Sequence, residues 1–221
     1  MAKVATHIVI LLVLDVQSQS YQETVTLLED KLNPESYRPE VRPQRNQSSI
    51  MEVVVQFALL SIVGIDDLAQ SFTCNGYFVF GWMDEIIAWD PNKYNGEQTI
   101  HPYPGSVWRP RVILMNTLDK RDVFADDMAP FLVKSSGLVM WAPGSLFTVS
   151  CELVMDNYPF DEHNCSIVMK SMTYTYNQLR FTNLQKPVIT KYFSNTTEWD
   201  LKAIQFDIPT NLRADTNAEF S

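Results

Sequence analysis

The stretch CELVMDNYPFDEHNC at residues 151–165 is the most informative part of the sequence and decides the fold assignment. Its first and last residues are Cys151 and Cys165, with thirteen residues between them. In a secreted chain, a cysteine pair at such a spacing usually closes a loop through a disulfide bond, which alone is weak evidence for a fold. The specific information lies in the residues inside the loop, which include Tyr158, Pro159, Phe160 and Asp161.

The N-terminus indicates that the chain is secreted. A cationic start containing Lys3 precedes an apolar run at residues 8–14, and small polar residues follow up to Ser20. This order is typical of a secretory signal peptide, so we expect residues 1–20 to be removed and residues 21–221 to form one domain. A buried strand or helix is the alternative for the apolar run, which is far shorter than the about 20 residues that span a bilayer.

Composition limits the class of protein. The chain has 221 residues, of which 46% are hydrophobic and 19% are charged, values that are ordinary for one globular domain with a full core. The formal charge of −9 argues against nucleic acid as a partner, and no basic run opposes that conclusion. An acidic surface attracts cations, and simple solubility explains the charge equally well.

The hydrophobic pattern predicts a mainly β domain. Val25, Leu28 and Leu32 recur at helical spacing, which predicts a short amphipathic helix over residues 21–32. Alternating and β-branched runs predict strands at residues 52–62, 77–89, 107–114, 131–134, 138–141, 146–155, 165–176 and 186–192. Turn residues between these runs favour an antiparallel β-sandwich of about nine to ten strands, or a barrel, over an alternating α/β fold.

Three sequons predict glycosylation in a secreted chain. They begin at Asn46, Asn164 and Asn195. Because short sequons also arise by chance, each alone is weak evidence for an attached glycan.

The loop at residues 151–165 resembles the signature loop of the Cys-loop receptors, which are pentameric neurotransmitter-gated channels. Further stretches resemble motifs of nicotinic-type subunits in the same order along the chain. These are GWMD at 81–84 with WDP at 89–91, WRP at 108–110, LMN at 114–116, SGLVMWAP at 136–143 and EWDL at 198–201. The resemblance covers about residues 21–221.

The resemblance implies an extracellular ligand-binding domain that assembles with other receptor subunits into a homo- or hetero-pentamer. It implies a small cationic neurotransmitter-like ligand, bound between subunits, and a membrane link through a domain absent from this chain. We therefore expect the protein at the extracellular face of the plasma membrane, including postsynaptic membranes, or secreted. The family's capping loop should follow about Phe220, so we expect a C-terminally truncated domain without its last strand.

The resemblance also assigns roles to the cysteines and to the loop tip. We expect Cys151 and Cys165 to form a disulfide bond, with Cys74 left as a free, half-buried thiol or, as the alternative, in an intermolecular bridge. In the family the loop presses on the membrane domain and couples binding to channel opening, a role that residues 158–161 take here. The alternative is that Phe160 packs under its own sandwich.

The principal face of the ligand site departs from the family pattern. That face is an aromatic cage, because ring faces attract a quaternary ammonium group. One cage tyrosine corresponds to Met115, and the cage tryptophan corresponds to Met172, with Tyr174 two positions later. Methionine is polarizable but has no ring quadrupole. Since the aspartate of the WxPD motif is also replaced, by Arg111, we expect a degenerate principal face.

The complementary face, which a subunit offers to its neighbour's ligand, is better preserved. Trp82 corresponds to a tryptophan of this face, and Met140 and Ala142 lie on a strand that lines the same pocket. The alternative for Trp82 is a role as a core aromatic residue. By alternation, one strand face carries Phe78, Phe80 and Trp82, and the opposite face carries Tyr77 and Val79.

Together, these features predict a non-principal subunit of a nicotinic-like channel. One alternative is a secreted, soluble ligand sink similar to acetylcholine-binding proteins, without a pore. The other is an enzyme or lectin on a β-sandwich. The sequence contains no glycine-rich phosphate loop, H-E-x-x-H or C-x-x-C motif, and its three histidines are scattered, so we expect neither an enzyme nor a metal or cofactor.

Overall fold

The structure is a computed structural model that describes residues 21–119, 124, 128–153, 155, 161–194, 199–207 and 217–220, the last four by their backbone alone. The predicted signal peptide, residues 1–20, lies outside the described residues.

The domain begins with a helix and continues as strands. The helix α1 spans Tyr21–Lys31, and a short 3₁₀ helix spans Pro91–Tyr94. The strands are β1 Met51–Asp66, β2 Ser71–Met83, β3 Thr99–Ile100, β4 Val112–Leu114, β5 Phe131–Lys134, β6 Leu138–Trp141, β7 Gly144–Ser150, β8 Ile167–Ser171, β9 Leu179–Ile189, β10 Phe206–Asp207 and β11 Asn217–Phe220.

The described strands form two sheets. The larger has the order β3-β5-β6-β2-β1-β9, with β7 also paired to β2, and the smaller has the order β10-β11-β8-β4. Among the described strands, β1 and β9 pair in parallel, and the other pairs are antiparallel. The predicted all-β sandwich with a short N-terminal helix is confirmed.

The helix packs against the hydrophobic core through a face close to the predicted one. Leu27 is fully buried, and Leu28 and Leu32 pack against the core at partly buried positions. The Lys31 ammonium donates a hydrogen bond to the carbonyl of Ala88 at 2.7 Å. This bond ties the end of α1 to the segment that follows β2.

The core is built from the inward residues of β1 and β2. On β1 these are Val53, Val55, Phe57 and Leu59, as predicted from their period-two spacing. On β2 they are Phe78, Phe80 and Trp82. Fully burying one such side chain contributes about 1.5–3 kcal/mol to the free energy of folding. The residues on this face of the sheet therefore supply a large share of the stability of the domain.

The sequence predicted that strand β2 would end at Trp89, but it ends at Met83. The buried carboxylate of Asp84 starts a turn at this point. Oδ1 of Asp84 accepts hydrogen bonds from the backbone nitrogens of Ile86 and Ile87, both at 2.9 Å. Amides bonded to a side chain cannot continue a sheet ladder. Burial raises the pKa of Asp84, even though the Tyr37 hydroxyl donates to its Oδ2 at 2.6 Å.

A glycine closes the β5–β6 turn over the same carboxylate residue. Gly137 has a φ of +87°, and a Cβ atom there would lie 2.4 Å from the backbone oxygen of Asp84. Both the backbone conformation and the close approach therefore require glycine. The turn sets the register of β5 and β6, both of which have their predicted bounds.

Candidate functional site

The predicted disulfide bond is present. The sulfur atoms of Cys151 and Cys165 are 2.05 Å apart, and their Cα atoms are 5.1 Å apart. Cys74 is a free cysteine with a buried side chain, as its location on an inward strand position demands. Burial raises the pKa of the Cys74 thiol to about 12, which keeps it protonated and unreactive near neutral pH.

The first described residues of the loop closed by this disulfide lie beside the β1–β2 turn. Tyr158, Pro159 and Phe160, the predicted tip, lie outside the described residues, and Asp161 is half-buried. The β1–β2 turn approaches the same loop, because the backbone nitrogen of Cys151 donates to the carbonyl of Gln70 at 2.9 Å.

Trp82 faces the core of its own domain. Its side chain is 2% exposed, and its ring packs edge-on against Trp108 at a centroid distance of 5.3 Å. On the neighbouring strand its partner is Val139, which is also buried. A ring enclosed in this way cannot be offered to another subunit. The structure therefore corrects the expectation for Trp82 in favour of the core alternative.

The outward face of the same strand carries a different aromatic ring. Tyr77 and Val79 alternate with the core residues and are half-buried. Met140 lies opposite Gly81, which puts its side chain on the outward face as well, and Ala142 follows two residues later. We call Tyr77, Val79, Gly81, Met140 and Ala142 the Tyr77 face.

The Tyr77 face contains Met140 and Ala142, two of the three residues predicted for the complementary face. The third, Trp82, is on the opposite side of β2, and the aromatic residue on this face is Tyr77. The sequence already contained the signal for Tyr77 as an alternative to Trp82, since alternation placed the two residues on opposite faces of the strand. Choosing between the two faces requires knowledge of which one the second sheet covers.

The predicted principal face lies on the smaller sheet. Met115 and Met172 are 52% and 63% exposed, respectively. The backbone nitrogen of Met115 donates to the carbonyl of Val168 at 2.8 Å, and that of Met172 donates to the carbonyl of Arg111 at 3.1 Å. The two methionines therefore flank opposite ends of β4. We call Arg111, Met115 and Met172 the methionine face, which presents thioethers and an exposed guanidinium.

Tyr174, the third residue predicted for the principal face, is held from inside the domain. Its hydroxyl accepts a hydrogen bond from Nε1 of Trp108 at 3.1 Å. The guanidinium of Arg42, itself buried, lies 5.9 Å from the centroid of the Tyr174 ring. The ring thus has an internal cation as a neighbour, and its hydroxyl is engaged by the core.

Two of the predicted glycosylation sites are accessible. Asn46 and Asn164 are exposed, whereas Asn195 lies outside the described residues. Oδ1 of Asn46 accepts a hydrogen bond from the backbone nitrogen of Ser48 at 3.0 Å, which orders this sequon as a turn.

The described part of the chain has neither a helix with the length and apolarity to cross a bilayer nor a group of three or more residues placed to ligate a metal ion.

Comparison with known proteins identifies relatives over most of the chain. Residues 24–220 match the model of the family described as the neurotransmitter-gated ion-channel ligand binding domain. The chain is 26% identical over 178 residues to the neuronal acetylcholine receptor subunit beta-4 of Bos taurus, covering 80% of the chain and 36% of that relative. It is 30% identical over 166 residues to the acetylcholine receptor subunit gamma of Bos taurus, covering 75% of the chain and 30% of the relative.

A third relative has the same extent. The neuronal acetylcholine receptor subunit beta-3 of Rattus norvegicus is 30% identical over 167 residues, which cover 76% of the chain and 36% of that protein. The chain thus spans about a third of the length of these curated relatives.

Proposed function

The chain belongs to the neurotransmitter-gated ion-channel ligand-binding domain family, and from that membership we propose that it is the extracellular ligand-binding domain of a nicotinic acetylcholine receptor-like subunit. In this role it is a binding domain rather than an enzyme. It assembles with other subunits into a pentamer at the extracellular face of the plasma membrane and takes part in binding a small cationic ligand at a subunit boundary.

Within such a pentamer, the chain acts as a non-principal subunit. A cation cage needs ring faces, and the methionine face has thioethers at Met115 and Met172 instead. The exposed Arg111 adds positive charge at one end of that face, which opposes the binding of a cationic ligand.

The single observation that carries the complementary role is the outward position of Tyr77 on β2, on the same side of the sheet as Met140, which lies opposite Gly81 on the paired strand β6. Tyrosine offers both a ring face and a hydroxyl at a surface, and a cation from a neighbouring subunit's cage can contact that ring. The core behind this face is densely aromatic, so the Tyr77 strand is a rigid support.

The end of the sandwich near the disulfide supports a coupling role. Leu68 in the β1–β2 turn is 99% exposed, and Leu118, whose backbone nitrogen donates to the carbonyl of Thr148 on the neighbouring strand β7, is also exposed. Exposed apolar side chains that share one end of a domain are explained if a partner surface covers them. By the family resemblance, residues 158–161 take the coupling role in the proposed channel.

The test is co-expression of the full-length protein with a subunit that carries an intact aromatic cage. Tyr77→Ala is expected to raise the agonist concentration for half-maximal current by up to about thirtyfold, because losing a cation–π contact costs up to about 2 kcal/mol. Tyr103→Ala is the matched control, since Tyr103 is an exposed tyrosine in the loop after β3 and is not one of the residues of the Tyr77 face.

Equal agonist sensitivity of Tyr77→Ala and Tyr103→Ala receptors would show that the Tyr77 face does not contact the ligand. Surface expression of both variants, measured in parallel, separates an effect on assembly from an effect on the agonist response.

A further inference from the structure

One residue, Gln70, joins the β1–β2 turn to the disulfide loop. Oε1 of its side chain accepts a hydrogen bond from the backbone nitrogen of Leu153 at 2.7 Å. Its Nε2 donates to the carbonyl of Asp67 at 2.8 Å. Its own carbonyl accepts from the backbone nitrogen of Cys151 at 2.9 Å. A single residue thus bonds the root of the loop at two positions and the turn at a third.

The turn that carries Gln70 is itself well ordered. Oδ1 of Asp66 accepts hydrogen bonds from the backbone nitrogens of Leu68 and Ala69 at 2.9 and 2.8 Å. Gln70 has a φ of +49°, a left-handed conformation that residues other than glycine, asparagine and aspartate rarely adopt. The hydrogen bonds of Gln70 to both segments explain why this conformation is retained.

The Leu153 amide depends on this side chain. Leu153 is buried at the root of the loop, two residues beyond the disulfide cysteine. A buried backbone N–H group requires a hydrogen-bond partner, and the partner here is Oε1 of Gln70 rather than a strand neighbour.

We propose that Gln70 is a positioning residue that clamps the root of the disulfide loop to the β1–β2 turn, so that the two segments move as one unit. The turn carries the fully exposed Leu68, and the clamp fixes where this side chain lies relative to the loop. The clamp follows from the hydrogen bonds alone, and only its consequence for channel opening rests on the proposed function.

The test is amide hydrogen exchange in the 221-residue chain carrying Gln70→Asn. Asparagine tolerates positive φ, so the turn is retained, but its shorter side chain does not reach Leu153. The Leu153 amide is expected to exchange about three- to tenfold faster, which is the rate change that corresponds to the free energy of one lost hydrogen bond. The Cys151 amide is an internal control, because it bonds the backbone of residue 70 and not the side chain.

Two further variants sharpen the result. Gln70→Glu keeps a side-chain acceptor for Leu153 and loses the donor to Asp67, so slow exchange at Leu153 is expected to be restored. Gln56→Asn makes the same chemical change on β1, where Nε2 donates to the carbonyl of Lys186 at 2.9 Å, and is expected to leave Leu153 unaffected.

The clamp is overturned if the Leu153 exchange rate is unchanged in Gln70→Asn, or if exchange rises equally throughout β1 and β2, which indicates general destabilisation.

In the co-expressed full-length receptor, Gln70→Asn is expected to lower the maximal current with agonist binding unchanged. An unchanged current beside faster Leu153 exchange would refute the coupling role only, whereas an unsubstituted receptor without any ligand response would refute the proposed function.

Discussion

The Tyr77 face and the methionine face belong to the same domain but differ in what supports them and in what they present. The Tyr77 face lies on the larger sheet, directly over an aromatic core that includes Phe78 and Phe80, whose ring centroids are 5.9 Å apart. The methionine face lies on the smaller sheet and presents flexible thioethers. In the proposed subunit, the methionine face can therefore lack rings without disturbing the packing that supports the Tyr77 face.

The largest expected effect tests whether the two sides of β2 differ as described. Trp82→Ala is expected to lower the free energy of unfolding by about 3–5 kcal/mol, because it removes a buried ring. Tyr77→Ala, on the outward side, is expected to cost about 1 kcal/mol or less. Urea unfolding of the domain measures both.

Trp82→Phe is the matched control, since it keeps a ring in the core and should cost less than Trp82→Ala. Similar losses for Tyr77→Ala and Trp82→Ala would break the comparison, because Tyr77 would then also be a core residue.

An intermediate effect is expected when rings are returned to the methionine face. As a homo-oligomer, the unsubstituted full-length protein is expected to bind acetylcholine weakly or not at all. Met115→Tyr with Met172→Trp should strengthen binding by up to about 2 kcal/mol per ring, or roughly thirtyfold each. Titration calorimetry measures the change.

Leu184→Tyr adds an exposed ring on β9, away from this face, and should leave affinity unchanged. Micromolar binding by the unsubstituted protein would contradict the assignment of the methionine face as degenerate.

The smallest effect concerns the carboxyl group of Asp84 at the end of the Tyr77 strand. Burial raises its pKa in the folded state above the ordinary value of 3.8. The folded protein therefore holds this proton more tightly than the unfolded chain does. Its contribution to stability is complete below about pH 3.8 and is lost as pH rises through the folded-state pKa.

Asp84→Asn removes this titration. The difference in unfolding free energy between the unsubstituted protein and the variant should therefore fall as pH increases above about 3.8, as followed by thermal melting. A difference that is constant with pH would show that Asp84 does not titrate between the two states.

Local sequence was sufficient wherever one short pattern controlled the structure. Two strands, β5 and β6, have their predicted bounds because a turn containing Gly137 separates two short apolar runs. The predicted C-terminal bound of β2 was wrong because side-chain hydrogen bonds of Asp84 end the strand at Met83. A strand end set by a buried side chain cannot be read from hydrophobic spacing.

The candidate site shows the same division at the level of single residues. The sequence by itself determined the family and the disulfide, since these depend on residue identity and order, and it is also the source of the proposal that Met115 and Met172 replace cage rings. Only the tertiary structure decided that Trp82 points inward and Tyr77 outward. Alternation separates a strand into two faces but is symmetric between them, and packing against the rest of the core determines which face is buried.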